Sequence, residues 1–332
     1  SILSGDSEWN GVNVRSNQTT TDEVCIRIGD ETHQGLRGVQ VENMGVSGCG
    51  IGVVVDGVGT TGTWNRLLSL IYEDTVLTGA EHSGTGLLMQ GGVGRVEVKL
   101  GFARNNPGAG MKVLAPPEGS SNQTVVFVGN RVHHNGTDAA AGSTAGIEIS
   151  DTNDVRSEGN TIYAQQGADA SSDGYGVLLD GASGTNFFCN DLYDNDLGLR
   201  LTGTSDNAAV LHNFWSNHAV SAFSTGAGAG ASSAVNENNF TGNALAVDHA
   251  GDGTLDARHN WWGAADGPDD GGGGSGDPVS GSLDTSNFIQ RDIAPVLVKR
   301  PVDFGWSSSS AACYPTIQEA ADDAVTGDLL LI

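Results

Sequence analysis

The sequence predicts an all-β chain wound as a parallel β-helix, and three observations carry that prediction. A short apolar phrase recurs along the chain, a second phrase built on Asn precedes most copies, and apolar residues alternate within both. The first phrase is Gly, apolar, any, apolar, and it begins at Gly52, Gly86, Gly110, Gly146, Gly176 and Gly198. Weaker copies begin at Ala219 and Ala244, so the interval runs from 21 to 36 residues. The second phrase is polar, any, apolar, any, any, Asn, as in Asn130-Val132-Asn135, Asn190-Leu192-Asn195 and Asn238-Phe240-Asn243, with a looser copy at Asn160-Ile162-Gln165. Alternation is the period of a strand. Self-similarity at this interval marks stacked units that cannot bury an apolar face alone. No helical pattern separates the two phrases, so the βαβ unit is excluded and one coil of a solenoid remains. About nine to eleven coils are expected, since residues one coil apart stack at about 4.8 Å.

Each phrase then supplies a column. The polar position gives Asn130, Asn160, Asn190, His212, Asn238 and His259, a ladder whose amides hydrogen-bond along the stacking direction. The apolar position gives an inward column of Val132, Ile162, Leu192, Phe214, Phe240 and Trp261. Variable intervals follow from corner loops that lengthen without disturbing the stacked strands.

Composition narrows the setting. The net charge is −25, and Lys99, Lys112 and Lys299 are the only lysines. Such a surface suits multimolar salt, where the Debye length falls to about 3 Å and self-repulsion is screened. Nucleic acid is excluded as a partner because no basic patch can neutralise phosphates. No apolar run reaches the roughly 20 residues that cross a bilayer. The chain begins at Ser1 in what reads as mid-repeat, and we expect a processed chain or a segment of a longer one.

Cys25 and Cys49 fall near one coil, within reach of a disulfide. Aligning Ile26 with Val53 offsets them by about three positions, so a bridge and two separate buried thiols both stand. Cys189 is expected to be a small buried residue. Asn17, Asn122, Asn135 and Asn239 each open an Asn-X-Ser/Thr sequon and are candidate glycan sites in a secreted chain.

From residue 251 the text changes. Asn260-Trp261-Trp262-Gly263 is followed by Asp266-Gly267-Pro268 and an acidic, Gly-rich loop to Pro278. Residues 24–295 resemble the right-handed β-helix surface proteins of halophilic archaea, in the pectin-lyase-like superfamily with NosD-type repeats. The resemblance implies that the Trp261-Trp262 phrase closes the solenoid, and two indoles supply the area for such a plug. It also implies that the helix-then-strand pattern at 313–332 is the kind of unit that begins a β-helix. Thr316 and Glu319 form a capping box, Ile317, Ala320, Ala321 and Ala324 one apolar face, and Gly327 the stop. The expected organisation is therefore a β-helix over 1–295. Residues 296–332 would be a linker, a short α-helix and a first strand, which either start a second β-helix or fold back to cap this one.

Several proteins of that superfamily cleave polysaccharides, so the columns were tested for chemistry. Hydrolysis needs two carboxylates about 5–10 Å apart. Two positions after the Gly, the column reads Val54, Leu88, Lys112, Glu148, Leu178, Arg200, Ser221 and Ala246. Four after, it reads Asp56, Gln90, Leu114, Ser150, Asp180, Thr202, Phe223 and Asp248. Neither places two acids on neighbouring coils. His133-His134 and Arg200 lack clustered acidic partners, and no catalytic residue is expected. Asp266, Asp269, Asp270 and Asp277 share one loop; a solvated loop is expected there, with calcium the alternative. Loops at 136–145 and 166–175 would raise a rim at one corner, and the outward Val54, Leu88 and Leu178 require cover from such loops or from another subunit. The sequence thus points to a non-catalytic structural or adhesive module at a cell surface or a virion surface. Its expected partners are other copies of itself, surface proteins or a polysaccharide. A polysaccharide lyase or glycoside hydrolase is the alternative.

Overall fold

The structure is a computed structural model, and it describes residues 8–11, 13–15, 24–29, 39–57, 65–77, 82–118, 122–138, 144–167, 174–291, 296–299, 312–314 and 329–331. Three parallel sheets run the length of a solenoid. The first has eleven strands, from Glu8–Asn10 to Leu283–Asp284. The second has nine, from Asn13–Arg15 to Asn239–Thr241, and the third has ten, from Val24–Ile28 to Val279–Gly281. One coil visits all three: Val96–Lys99, Phe102–Arg104 and Met111–Val113. Each of these strands pairs in parallel with the coil before and the coil after. Among the described residues there is no helix, and none is long and apolar enough to cross a membrane.

Alternation sends one set of side chains inward from every sheet, and these columns form one continuous core. In the second sheet the inward column is Val46, Tyr72, Ala103, Val132, Ile162, Leu192, Trp215 and Phe240. Trp262 extends it, fully buried and stacked on Phe240 at 5.1 Å. The expected inward residues Phe214 and Trp261 are corrected by one position, to Trp215 and Trp262. A one-residue slip moves a strand side chain to the other face, and it passes unnoticed where two aromatics are adjacent. Of the expected plug, Trp262 closes the inward column, whereas Trp261 faces outward opposite Asn239.

The same slip corrects the ladder. Asn130, Asn160, Asn190 and Asn238 stand in it together with Asn213 and Asn260, not His212 and His259. From Asn160 onward each Asn Oδ1 accepts both the backbone N–H and the side-chain amide of the Asn one coil earlier, at 2.8–3.2 Å. Each Nδ2 also donates to a main-chain carbonyl. The residue before each Asn occupies the left-handed region: Gly129, Gly159, Cys189, His212, Glu237 and His259 all have φ between 57° and 63°. His212 and His259 are therefore the hinges of this corner, and the adjacent Asn carries the hydrogen bonds.

A second ladder lies at the other end of the second sheet. Thr75, Asn106, Asn135, Gln165 and Asn195 pass backbone N–H groups to side-chain oxygens coil by coil. His218, Asn243 and Asp277 continue it towards the carboxyl end. This ladder explains the Gly phrase. A Cβ on Gly86, Gly110, Gly146 or Gly176 would lie 2.5–2.9 Å from the carbonyl oxygen of the next coil and 2.9–3.2 Å from a ladder amide. Glycine leaves room for the corner amide to reach its partners. The register also corrects the last two copies of the phrase: Leu199 pairs with Phe223 and Phe223 with Val247, so they begin at Ala222 and Ala246 rather than Ala219 and Ala244.

Cys25 and Cys49 form a disulfide with Cα atoms 5.9 Å apart. Cys189 is buried as expected, and it is also disulfide-bonded. The C-terminal helix expected over 315–327 lies outside the described residues. Val296–Lys299 pairs antiparallel with both Ala312–Tyr314 and Leu329–Leu331, unlike any pair in the coils.

Two predictions follow from the ladders. Asn190→Ala removes the acceptor of the Asn160 N–H and strands buried polar groups that each cost about 1–3 kcal/mol. Urea unfolding should show a loss of about 2–4 kcal/mol, against well under 1 kcal/mol for Ala at the exposed Thr204. His218 is 2% exposed, and burial lowers its imidazole from 6.5 to about 4. The neutral form is the folded one, so its contribution is complete above pH 6.5 and is lost as pH falls towards 4. About 3 kcal/mol should be lost across that window, and His218→Asn should remove this part of the pH slope of the unfolding free energy.

Candidate functional site

The outward columns of the third sheet, which carry the sequence argument about chemistry, hold little reactive geometry. The register there runs Val54, Leu88, Lys112, Glu148, Leu178, Arg200, Ser224 and Asp248. Ser224 and Asp248 replace the expected Ser221 and Ala246. Lys112 Nζ lies 3.0 Å from Glu148 Oε1, and Lys112 is 7% exposed, so this is a nearly buried pair rather than a surface one. Val54 and Leu88 are each 1% exposed within the single chain. Their cover is intramolecular, and no second subunit is needed there. Among the described residues, two carboxylates face each other in register at Asp256 and Asp284. Arg258 holds this pair: its Nε donates to Asp256 Oδ1 at 2.8 Å and lies 3.7 Å from Asp284 Oδ2. Hydrogen bonding from Arg258 lowers Asp256 to about 2. Neither member suits a general acid.

The loop carboxylates do not converge. Asp266 Oδ1 accepts from the Ser275 N–H and hydroxyl, Asp269 from the Gly271 N–H and Asp270 from the Gly272 N–H. Short polar side chains commonly turn back to the backbone in this way. Asp277 points elsewhere and ends the second ladder, accepting from the Gly242 and Asn243 N–H groups. No group of three or more potential ligands that could hold a metal occurs among the described residues. Three of the sequon residues are also committed. Asn122 and Asn135 are fully buried with their amides hydrogen-bonded, and Asn239 is 5% exposed. A folded chain cannot present these amides to a glycan, which corrects the expectation at all three. Asn17 lies outside the described residues.

Reactive side chains gather instead on the outer face of the second sheet. Two outward columns flank the buried Tyr72–Phe240 column. One reads Ile71, Phe102, Arg131, Thr161, Asp191 and Phe214; the other reads Glu73, Arg104, His133, Tyr163, Tyr193 and Ser216. Because these residues are in register, their rings stack. His133 and Tyr163 stack at 4.6 Å and 16°, and Tyr163 and Tyr193 at 4.7 Å and 8°. Phe102 meets His133 edge-on at 5.1 Å. Arg131 donates from Nη2 to the Tyr163 hydroxyl at 2.8 Å, with its guanidinium 5.3 Å from that ring. Arg104 Nη2 pairs with Glu73 Oε2 at 2.6 Å.

The electrostatics of this stripe follow from half-burial beside cations. His133 is lowered from 6.5 to about 4, first by burial and then by His134, Arg131 and Arg104. It is a neutral imidazole at neutral pH. Its Nδ1 lies 2.8 Å from His134 Nδ1, so one ring donates and the other accepts. Burial raises the Asp191 carboxyl, and it raises the Tyr193 phenol with help from Tyr163 and Asp191. Glu73 balances the charge of Arg104, whereas among the described residues the exposed Arg131 meets the neutral Tyr163 phenol and the Phe102 ring. Rings stacked on one another present edges and polar atoms outward, so the stripe offers guanidinium, imidazole and hydroxyl groups to a polar ligand. Of these residues, sequence reasoning singled out only His133 and His134. The signal for the rest lay on either side of the inward apolar residue in the Asn phrase.

The model of the right handed beta helix region matches residues 10–214, and the chain belongs to that family. Comparison with curated proteins finds no match. Among solved structures the chain is similar to an alginate lyase from Paenibacillus sp. str. FPU-7, at 13% identity, with 85% of this chain and 91% of that chain covered and a TM-score of 0.44.

Proton NMR should find His133 titrating near pH 4. Arg131→Ala removes a neighbouring cation and should move that midpoint upward, towards 6.5.

Proposed function

We propose that this chain is an extracellular, non-catalytic β-helix module that holds an acidic polysaccharide along the outer face of its second sheet, in concentrated salt. The observation that carries this reading is Arg131, an exposed guanidinium without an acidic partner among the described residues, set on the stack of His133, Tyr163 and Tyr193 in a chain of net charge −25. At low salt such a chain repels a polyanion at long range. At multimolar salt the screening length falls to about 3 Å, and only short-range contacts count. A guanidinium that can grip a carboxylate through two parallel N–H groups is the side chain suited to that regime. The ladder spacing of the stripe matches an elongated ligand better than a compact one. A cell surface and a virion surface make the same demand on this face.

A second reading, β-elimination by a polysaccharide lyase, draws on one observation. His133 is neutral at neutral pH beside Arg131, so a base would stand next to a group able to neutralise a uronate carboxylate. One of its ring faces is engaged by Tyr163 and its Nδ1 by His134, which favours binding over proton abstraction.

Calorimetric titration with oligogalacturonate in concentrated and in dilute salt tests the proposal. Arg131→Ala should weaken binding about ten- to a hundredfold, while Arg258→Ala, away from the stripe, should leave it unchanged. No unsaturated product should accumulate in the ultraviolet; its appearance would move the assignment to the lyase. Absence of binding in both salts would refute the module as stated.

A further inference from the structure

The aromatic stack ends abruptly. His133, Tyr163 and Tyr193 place rings on three successive coils, and the register partner of Tyr193 on the next coil is Ser216, followed by Thr241. Coils repeat at about 4.8 Å, close to the 4.7 Å between Tyr163 and Tyr193. A hydroxymethyl group therefore stands where a fourth ring would lie. One face of Tyr193 is taken by Tyr163, and among the described ring contacts none covers the other. Phe214 flanks this step from the neighbouring outward column, and Asp191 stands on the same coil as Tyr193. Asp194 and Asn217 are exposed at the adjoining corner, both in the left-handed region. The step is thus one ring thick, apolar on its Tyr193 and Phe214 sides, and edged by hydrogen-bond acceptors.

We infer that the free face of Tyr193 above Ser216 is a subsite for one pyranose ring, stacked through its C–H face. The ring continues the stack in place of the missing side chain. The acceptors around it are acidic, so this subsite takes an uncharged, hydroxyl-rich sugar, while carboxylates belong near Arg131, about three coils or 14 Å along the sheet. This specialises the acidic-polysaccharide reading and rests on it for the identity of the whole ligand: the preferred chain carries both acidic and neutral sugars. The stacking itself can be tested without that reading.

Two probes separate the two claims: a neutral cello-oligosaccharide and oligogalacturonate, each followed by proton NMR of the sugar. Stacking on Tyr193 moves ring protons of the cello-oligosaccharide upfield through the aromatic ring current. Ser216→Tyr fills the step with a fourth ring and should abolish that shift, as should Tyr193→Ser, whereas Arg131→Ala should retain it. Ser216→Tyr adds a ring to an exposed column that already carries three, and an unchanged melting temperature checks its fold. An upfield shift that persists in Ser216→Tyr, or no shift with the cello-oligosaccharide in the wild-type chain, overturns the subsite. If oligogalacturonate then still binds through Arg131, the acidic-polysaccharide reading survives alone. If the neutral probe shifts and oligogalacturonate does not bind, the subsite survives and that reading fails.

Discussion

Everything in this fold depends on how the chain turns between sheets without losing backbone hydrogen bonds. A solenoid corner exposes N–H groups that no strand can accept, and a buried unpaired N–H costs about 1–3 kcal/mol. Two columns of side-chain amides solve this at both ends of the second sheet. Each Asn accepts the main-chain N–H of the coil before it and donates its amide to a carbonyl of that coil and to the Asn of the coil after, so the corners are bonded as continuously as the sheets. The left-handed residue before each amide sets the turn, and the glycine across from the second ladder leaves it space. The repeating phrases of the sequence are the trace of this one requirement.

The site is a consequence of the same constraint. Tight corners fix the register of the second sheet coil by coil, and fixed register aligns its outward side chains into columns. His133, Tyr163 and Tyr193 stack because their Cα atoms are neighbours in the ladder, and Arg131 reaches the Tyr163 hydroxyl from the parallel column one coil away. The third sheet instead covers its outward Val54 and Leu88 and nearly buries Lys112. We assign recognition to the open outer face of the second sheet and closure to the covered outer face of the third.

Much of this architecture was legible in the sequence. Alternation and the Gly and Asn phrases led to the coil of a parallel β-helix with two strands per interval, to which the structure adds the strands of the first sheet, and Asn130, Asn160, Asn190 and Asn238 sit in the ladder where the phrase places them. What misled was local degeneracy. Phe214-Trp215 and Trp261-Trp262 offer two aromatics at the inward position, and the choice of the first shifted the ladder onto His212 and His259. A test of the neighbouring residue, Asn213 or Asn260, would have resolved it, since each precedes an inward residue by two. The stripe is hard to read for a different reason: its residues flank the inward position of the Asn phrase, and their types change from coil to coil. The sequons were misread because composition does not report where an amide turns, and at Asn122 and Asn135 it turns inward.

The most direct test is a structure of the chain with oligogalacturonate bound, solved in concentrated salt. The account predicts ligand lying across the outer face of the second sheet, with a carboxylate against Arg131 and the chain running along His133, Tyr163 and Tyr193. Ligand seated instead on the third sheet beside Lys112 and Glu148 would contradict it, and would place the work of this protein on the face assigned here to closure.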